Sequence, residues 1–306
     1  MTFIFCSVCA AYAGLVAVDS VATKRLAYTP VKEFTPLRVA EALPDRASQA
    51  VNGTITRLDR MHAFAGVLGL GLIAFLAIEP TYNWLLLLLS GLTALAADNI
   101  VRMHPQARFQ RLDDTALFLF VPVLFTLGAG LFLKQVVGGT AGAGLGILTI
   151  PAYWLILWAE YQSVDRRSGH FILGRGILNA ATYIIAFLFF ATIYDFDLSL
   201  VTASFAAGIV SLLLGIEVVR EEAMDTTRTI AYALAIGLLL AEAAWVTHFL
   251  PLEGSSAAVF LLLAFYLMTG LMHNYLGDRL SLRTGSEFAT VAGAGLALVI
   301  LSRSYL

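Results

Sequence analysis

The stretch Trp84-Leu-Leu-Leu-Leu-Leu-Ser-Gly-Leu-Thr-Ala-Leu-Ala-Ala-Asp98-Asn-Ile-Val-Arg102-Met-His104-Pro105 is an apolar run that meets an acid and then an arginine. It is long enough for a helix to cross a bilayer before the charges begin. Three later runs close the same way, at Glu160 with Asp165 and Arg166, at Glu217 with Arg220, and at Asp278 with Arg279. The acids opening these endings stand 62, 57 and 61 residues apart. A unit of that size holds two crossings and their connections, so the chain reads as a series of membrane hairpins.

Composition agrees. Residues are 59% hydrophobic and only 13% charged, where soluble domains are about 45–50% apolar and about 25% charged. A water-soluble fold has no means of burying that excess. At about 20 residues per crossing, 306 residues suit nine or ten helices. Crossings of this kind are helical, because an open strand leaves backbone groups unpaired in lipid. The expected fold is therefore all-α, a polytopic transmembrane helix bundle with short loops. A net charge of −2 gives no support to nucleic-acid binding. Cys6 and Cys9, the two cysteines, cannot form a disulfide framework, and their apolar setting favours two small buried hydrophobes over a metal pair.

Two regions follow from this reading. Residues 1–61 hold an apolar run, Thr2 to Val18, and then a long polar connection. The run lacks the preceding basic residue of a signal peptide and reads as a short N-terminal membrane helix. From Ala47 onward, Ala47, Ala50, Val51, Ile55, Leu58 and Met61 recur at helical spacing between Arg57, Asp59 and Arg60. That pattern predicts an amphipathic helix lying in the headgroup plane. Residues 62–306 then form a bundle of nine crossings, near 62–79, 82–101, 115–137, 141–160, 171–194, 197–219, 229–249, 255–277 and 287–304.

All but two of the 19 lysines and arginines lie on alternate connections, Lys134 and Arg303 being the exceptions. Basic residues favour the cytoplasmic side, which puts the acid–arginine endings inside and the C-terminus outside. Glu79-Pro-Thr81, Asp195-Phe-Asp197 and Pro251-Leu-Glu-Gly254 become tight outer turns, with Trp84 and Trp245 near them. Gly138, Gly142 and Gly146, and likewise Ala289, Gly293 and Ala297, repeat every four residues and predict faces where helices approach closely. Pro122 and Pro151 are expected to interrupt their helices.

Three sets of residues are candidates for chemistry. Glu242 lies about three residues past the middle of its helix, roughly 4.5 Å along the axis. An acid at that depth is expected to face other helices, with Asn179 and Tyr183 as hydrogen-bond partners, either as a proton-coupling group or as a structural one. Asp98, Arg102, Glu160, Asp165, Arg166, Glu217, Arg220, Asp278 and Arg279 form a cytoplasmic charge ring that Arg175, one turn into its helix, is placed to join. Buried, that ring latches helix ends by charge-assisted hydrogen bonds; the alternatives are an anion or headgroup site, or ordinary surface charge. His62, His104, His170, His248 and His273 lack metal spacing. No cofactor is predicted; a chlorin or haem is the class His273-Asn274-Tyr275 would contact. Trp154 and Trp158, one turn apart beside Pro151, are expected to contact lipid or the core, with a cavity lining as the alternative.

Leu276-Gly-Asp278-Arg279-Leu-Ser-Leu-Arg283 shares only Asp278, Arg279 and Arg283 with the loop signature of major-facilitator transporters, whose twelve helices this chain cannot supply. A broader likeness is carried by Thr93-Ala-Leu-Ala-Ala-Asp98 with Arg102-x-His104-Pro105, Ala159-Glu160-Tyr161-x-Ser-Val-Asp165, and Phe265-Tyr266-x-x-Thr-Gly270. In these the chain resembles uncharacterised multi-spanning proteins of Chloroflexota-type bacteria. The resemblance implies a membrane address and no assigned activity. The functional expectation is a non-catalytic subunit or scaffold of the bacterial inner membrane. A small proton-coupled transporter using Glu242 comes second, and an enzyme acting on lipid-linked substrates last. Its expected partners are the bilayer and membrane proteins, a second copy of the chain included.

Overall fold

The computed structural model describes residues 42–79, 83–106, 115–196, 198–220, 226–250, 252, 254–276, 285–291, 293–295 and 297, with side chains from residue 59 on. Expectations for Thr2–Val18, Asp278 and Arg279 fall outside the described residues, as does most of the expected last crossing. The chain divides into two compact units, Met1–Gly53 and Thr54–Leu306, where the sequence pattern put the boundary at residue 61. Of the first unit only the opening of one helix is described.

Among the described residues every regular element is helical: α1 (Ala42–Ala77), α2 (Asn83–Arg102), α3 (Phe120–Phe132), α4 (Gly139–Leu145), α5 (Thr149–Ser163), α6 (Phe171–Asp195), α7 (Leu200–Val219), α8 (Thr226–Phe249) and α9 (Gly254–Leu276). Among the described residues eight segments are long and apolar enough to cross a bilayer, the mark of a multi-pass membrane protein. They run Asp59–Ala77, Asn83–Arg102, Ala116–Val137, Gly139–Ser163, Phe171–Asp195, Leu200–Val219, Thr227–Phe249 and Gly254–Leu276. Each lies within a few residues of its expected crossing, because hydropathy alone sets these limits. One expectation changes: the amphipathic stretch from Ala47 is continuous with the first crossing in one helix of 36 residues. No break separates a surface helix from a spanning one.

The prolines do not sit in helix interiors. Pro122 is the third residue of α3 and Pro151 the third of α5. A 3-10 turn precedes each helix, Ala116–Phe118 and Gly146–Leu148. In a first turn the missing proline N–H has no intrahelical acceptor to lose, so the ring costs little there.

Between the third and fourth crossings the chain reverses through a π-turn, Leu133–Val137, and two glycines with positive φ, Gly138 at 65° and Gly139 at 52°. Such φ values are open to glycine at no steric cost. Gly138 therefore serves the turn rather than a packing face. Gly142 and Gly146 do pack as expected: a Cβ on Gly142 would run into the Leu133 carbonyl, and one on Gly146 would come within 2.9 Å of Leu76 Cδ1. At Gly293, the centre of the other predicted stripe, a Cβ would meet nothing within 4 Å among the described residues.

Helix α6 is the hub, packing on α3, α5, α7 and α9. Leu178, Ile185 and Phe190 on α6 are fully buried, as are Tyr153 of α5 and Phe265 of α9. The most extensive helix pair is α7 with α8. It meets through glycine: a Cβ on Gly208 would lie 3.0 Å from Ala241 Cβ, and one on Gly237 only 2.8 Å from the Gly208 carbonyl oxygen. At the end of α1, Lys134 donates to the Leu76 and Ile78 carbonyls at 3.0 and 3.2 Å, giving the helix C-terminus a cation for its exposed acceptors.

Candidate functional site

The alternation of crossings brings the end of α5, the second turn of α6 and the end of α7 to one end of the bundle, and four charged side chains meet there. Glu160 and Glu217 are both wholly buried, and the side chains of Arg175 and Arg220 are only 5% and 13% exposed. Arg175 Nη1 donates to Glu217 Oε1 at 2.6 Å, and its Nη2 to the Glu217 carbonyl oxygen at 3.0 Å. Arg220 Nη2 donates to the same Glu217 Oε1 at 2.8 Å and reaches Glu160 Oε2 at 3.5 Å. Ser163 Oγ also stands 3.5 Å from that Glu160 oxygen. The Arg220 guanidinium lies 4.4 Å from the centroid of the Phe118 ring.

Two carboxyl groups and two guanidiniums meet here, with Glu217 as their centre. Taking such charges out of water costs several kcal/mol per ion, about as much as their attraction returns. The set therefore fixes which helix ends meet more than it adds net stability. Burial works against the charge on Arg220, but Glu217 and then Glu160 beside it raise its pKa beyond the ordinary arginine range. Glu160 Oε1, Glu217 Oε2 and Arg220 Nη1 have no hydrogen-bond partner among the described residues.

A second pair closes the neighbouring helix ends. Arg102 Nε donates to Asp98 Oδ2 at 2.8 Å within α2, and Thr115 Oγ1 donates to Asp98 Oδ1 at 2.5 Å from across the following connection. Arg102 also reaches Thr115 Oγ1 at 3.3 Å. Phe118, which lies under Arg220, is three residues beyond Thr115. The His104 ring lies 4.7 Å from that of Tyr161, tilted by 59°, next to Glu160.

Among the described members of the expected ring, Asp98 pairs with Arg102, and Glu160, Arg175, Glu217 and Arg220 form a separate set. Asp165 does not join them; its Oδ1 accepts the backbone N–H of Arg167 at 2.9 Å and closes the α5–α6 turn. Arg166 is exposed in that turn.

Glu242 corrects the sequence expectation most sharply. It is exposed on α8, away from the face that packs on α7. Tyr183, expected as its partner, instead meets Thr269 at 3.1 Å, tying α6 to α9. The reason is the register of α8: the small-residue face with Gly237 and Ala241 takes α7, which turns Glu242 outward.

His273 is half-buried in the last turn of α9. Its neighbour Asn274 donates to the Gly270 carbonyl at 2.8 Å, so that amide is held by its own helix. Trp154 and Trp158 stack at 6.4 Å. Trp154, His62, Ala65, Ile150 and Pro151 line a shallow apolar depression of about 350 Å³. Among the described residues no three His, Cys, Asp or Glu side chains stand close enough to hold a metal.

Two features escaped the sequence reading. Tyr153 donates to Thr126 at 2.9 Å, and Thr126 meets Thr93 at 2.9 Å, so hydroxyls of α2, α3 and α5 are joined inside the bundle. Thr93 and Thr126 also bond their own helices, at Leu89 and Pro122. The signal was a threonine inside each of two strongly apolar runs. The other is the Gly208–Gly237 contact, whose glycines do not repeat at a regular interval within either helix.

No curated protein and no solved structure matches the chain. Residues 66–302 match a family described as "Protein of unknown function (DUF5656)". That match takes in nearly all of the apolar bundle and every charged residue of the buried cluster, and the chain belongs to this family.

Proposed function

We propose that this chain is a multi-pass protein of the bacterial inner membrane that acts as a non-catalytic membrane subunit or scaffold. The observation that carries the reading is the destination of the buried charges: Glu160, Arg175, Glu217 and Arg220 pair with one another across three helices. A site for a reacting substrate keeps charged groups aimed at a shared space. A latch joins them to each other. Four deep threonines are also satisfied internally, since Thr93, Thr126, Thr182 and Thr269 all bond carbonyls of their own helices. The sorting of basic residues supports placing the charged end in the cytoplasm and the C-terminus outside.

The transporter reading needs Glu242 beside an internal route, and its exposure on α8 removes that support. For an enzyme on lipid-linked substrates, the described residues supply no cluster of three acids or histidines. The reading includes no bound haem or chlorin.

Reconstitution into proteoliposomes tests it. The expected result is proton and solute movement no faster than in protein-free vesicles. Proton-coupled flux that Glu242→Gln abolishes would replace this function with transport.

A further inference from the structure

We propose that α8 is the contact between two copies of this chain in the membrane, with Glu242 of each copy against Glu242 of the other. The residues Ala231, Ala235, Leu238, Glu242, Trp245 and Phe249 follow one another at alternating intervals of four and three. That is the a/d spacing of a helix pair. The structure leaves this seam outward: Leu238 is 58% exposed, Trp245 44% and Phe249 70%, with Glu242 and Ala231 exposed and Ala235 half-buried. The other face of the same helix is fully used, with Ala233, Ile236, Leu240 and Ala244 in the core. Helix α8 thus carries two seams, of which the bundle occupies one.

Glu242 selects the occupant. Within the described residues it makes no ion pair or hydrogen bond, and it lies inside the Thr227–Phe249 span, where its neighbours are hydrocarbon. An acid facing lipid is costly, and polar side chains at such depth draw helices together. Among the described residues no other face offers a complement at that depth, because their basic side chains lie outside the membrane spans or within about a turn of a span's end. A second copy does. Copies inserted in the same sense have parallel α8 helices, and a two-fold axis along the membrane normal sets each residue against itself at equal depth. The two Glu242 side chains then face one another rather than hydrocarbon, so the seam's one polar position meets its own like. Small residues at Ala231 and Ala235 let the helices close at one end, and Trp245 and Phe249 fill the other. The inference rests on the membrane-spanning reading above and adds the partner.

Cysteine cross-linking of the full chain in native membranes tests it, in a background carrying Cys6→Ser and Cys9→Ser. Leu238→Cys and Trp245→Cys are expected to give disulfide-linked dimers under mild oxidation, at least about tenfold more than Val201→Cys, an exposed control position on α7. Adding Glu242→Leu to Leu238→Cys is expected to lower the dimer about tenfold or more. Single-molecule photobleaching of labelled protein in lipid supplies a second readout, with two steps expected for the unaltered chain and one for Glu242→Leu. Dimer yields at Leu238 no higher than at Val201, single bleaching steps throughout, or a cross-linked product of another mass would overturn the self-pairing. None of these results touches the internal charge cluster, whose failure shows instead as folding insensitive to Glu217.

Discussion

Replacing Glu217 with alanine is expected to lower the stability of the solubilised protein by about 3–5 kcal/mol, the cost of leaving buried charge without its partner. Both arginines depend on this one carboxylate, Arg175 at 2.6 Å and Arg220 at 2.8 Å. Without it Arg175 loses its carboxylate in a site where it is 5% exposed. Arg220 keeps only Glu160, at 3.5 Å. The effect is read as a lower thermal midpoint and earlier loss of monodisperse protein on heating. Converting the pair to apolar residues of similar size, Arg175→Met with Glu217→Leu, is expected to recover most of that loss, since such exchanges are often neutral or stabilising by about 1–4 kcal/mol. Recovery marks an internal latch. A double variant as unstable as Glu217→Ala would show that the two side chains do not act as a pair.

Gly237→Val is the second large effect, and it acts through shape alone. A single added carbon at Gly237 would stand 2.8 Å from the Gly208 carbonyl oxygen and 2.9 Å from Leu212 Cβ. Neither is the far end of a flexible side chain, so neither can swing away. Valine places further methyl groups in the same space. The α7–α8 pair must then separate along its most extensive contact, at about 1–3 kcal/mol or more. Differential scanning or SDS-resistance of the solubilised protein measures the loss. Valine at Gly176, where a Cβ would meet nothing within 4 Å, is the matched control and is expected to be near neutral. Equal behaviour of the two variants would contradict the close approach of these helices.

What the sequence made legible is what lipid itself dictates. Residue 84 begins an apolar run and residue 102 ends it, and α2 follows suit because a helix in hydrocarbon has no other way to satisfy its backbone. The acids and arginines closing those runs were legible for the same reason, and so was the suggestion that Arg175 joins them. Their pairing was not. Asp165 and Glu160 are five residues apart and look alike in sequence, yet one caps a turn and the other is wholly buried. Helix rotation decides between such outcomes, and in a run that is apolar all round no periodicity reports it. Glu242 shows this best. Its depth followed from counting residues, whereas its direction followed from Gly208 and Gly237, which draw α8 onto α7 by another face. The hydroxyl contacts of Thr93, Thr126 and Tyr153 were hidden likewise, since they join three helices distant in sequence.

The central claim is that these helices thread a bilayer with the paired acids and arginines gathered at its cytoplasmic face. Glu79, 81% exposed at the end of α1, and Arg166, exposed in the α5–α6 turn, mark the two ends of the bundle. The most direct measurement places a single cysteine at each position in turn, in the chain carrying Cys6→Ser and Cys9→Ser, and treats intact cells with a membrane-impermeant maleimide. The account predicts that Glu79→Cys is labelled in intact cells and that Arg166→Cys reacts only after the membrane is opened. Labelling of Arg166→Cys from outside, or of both positions alike, would contradict it.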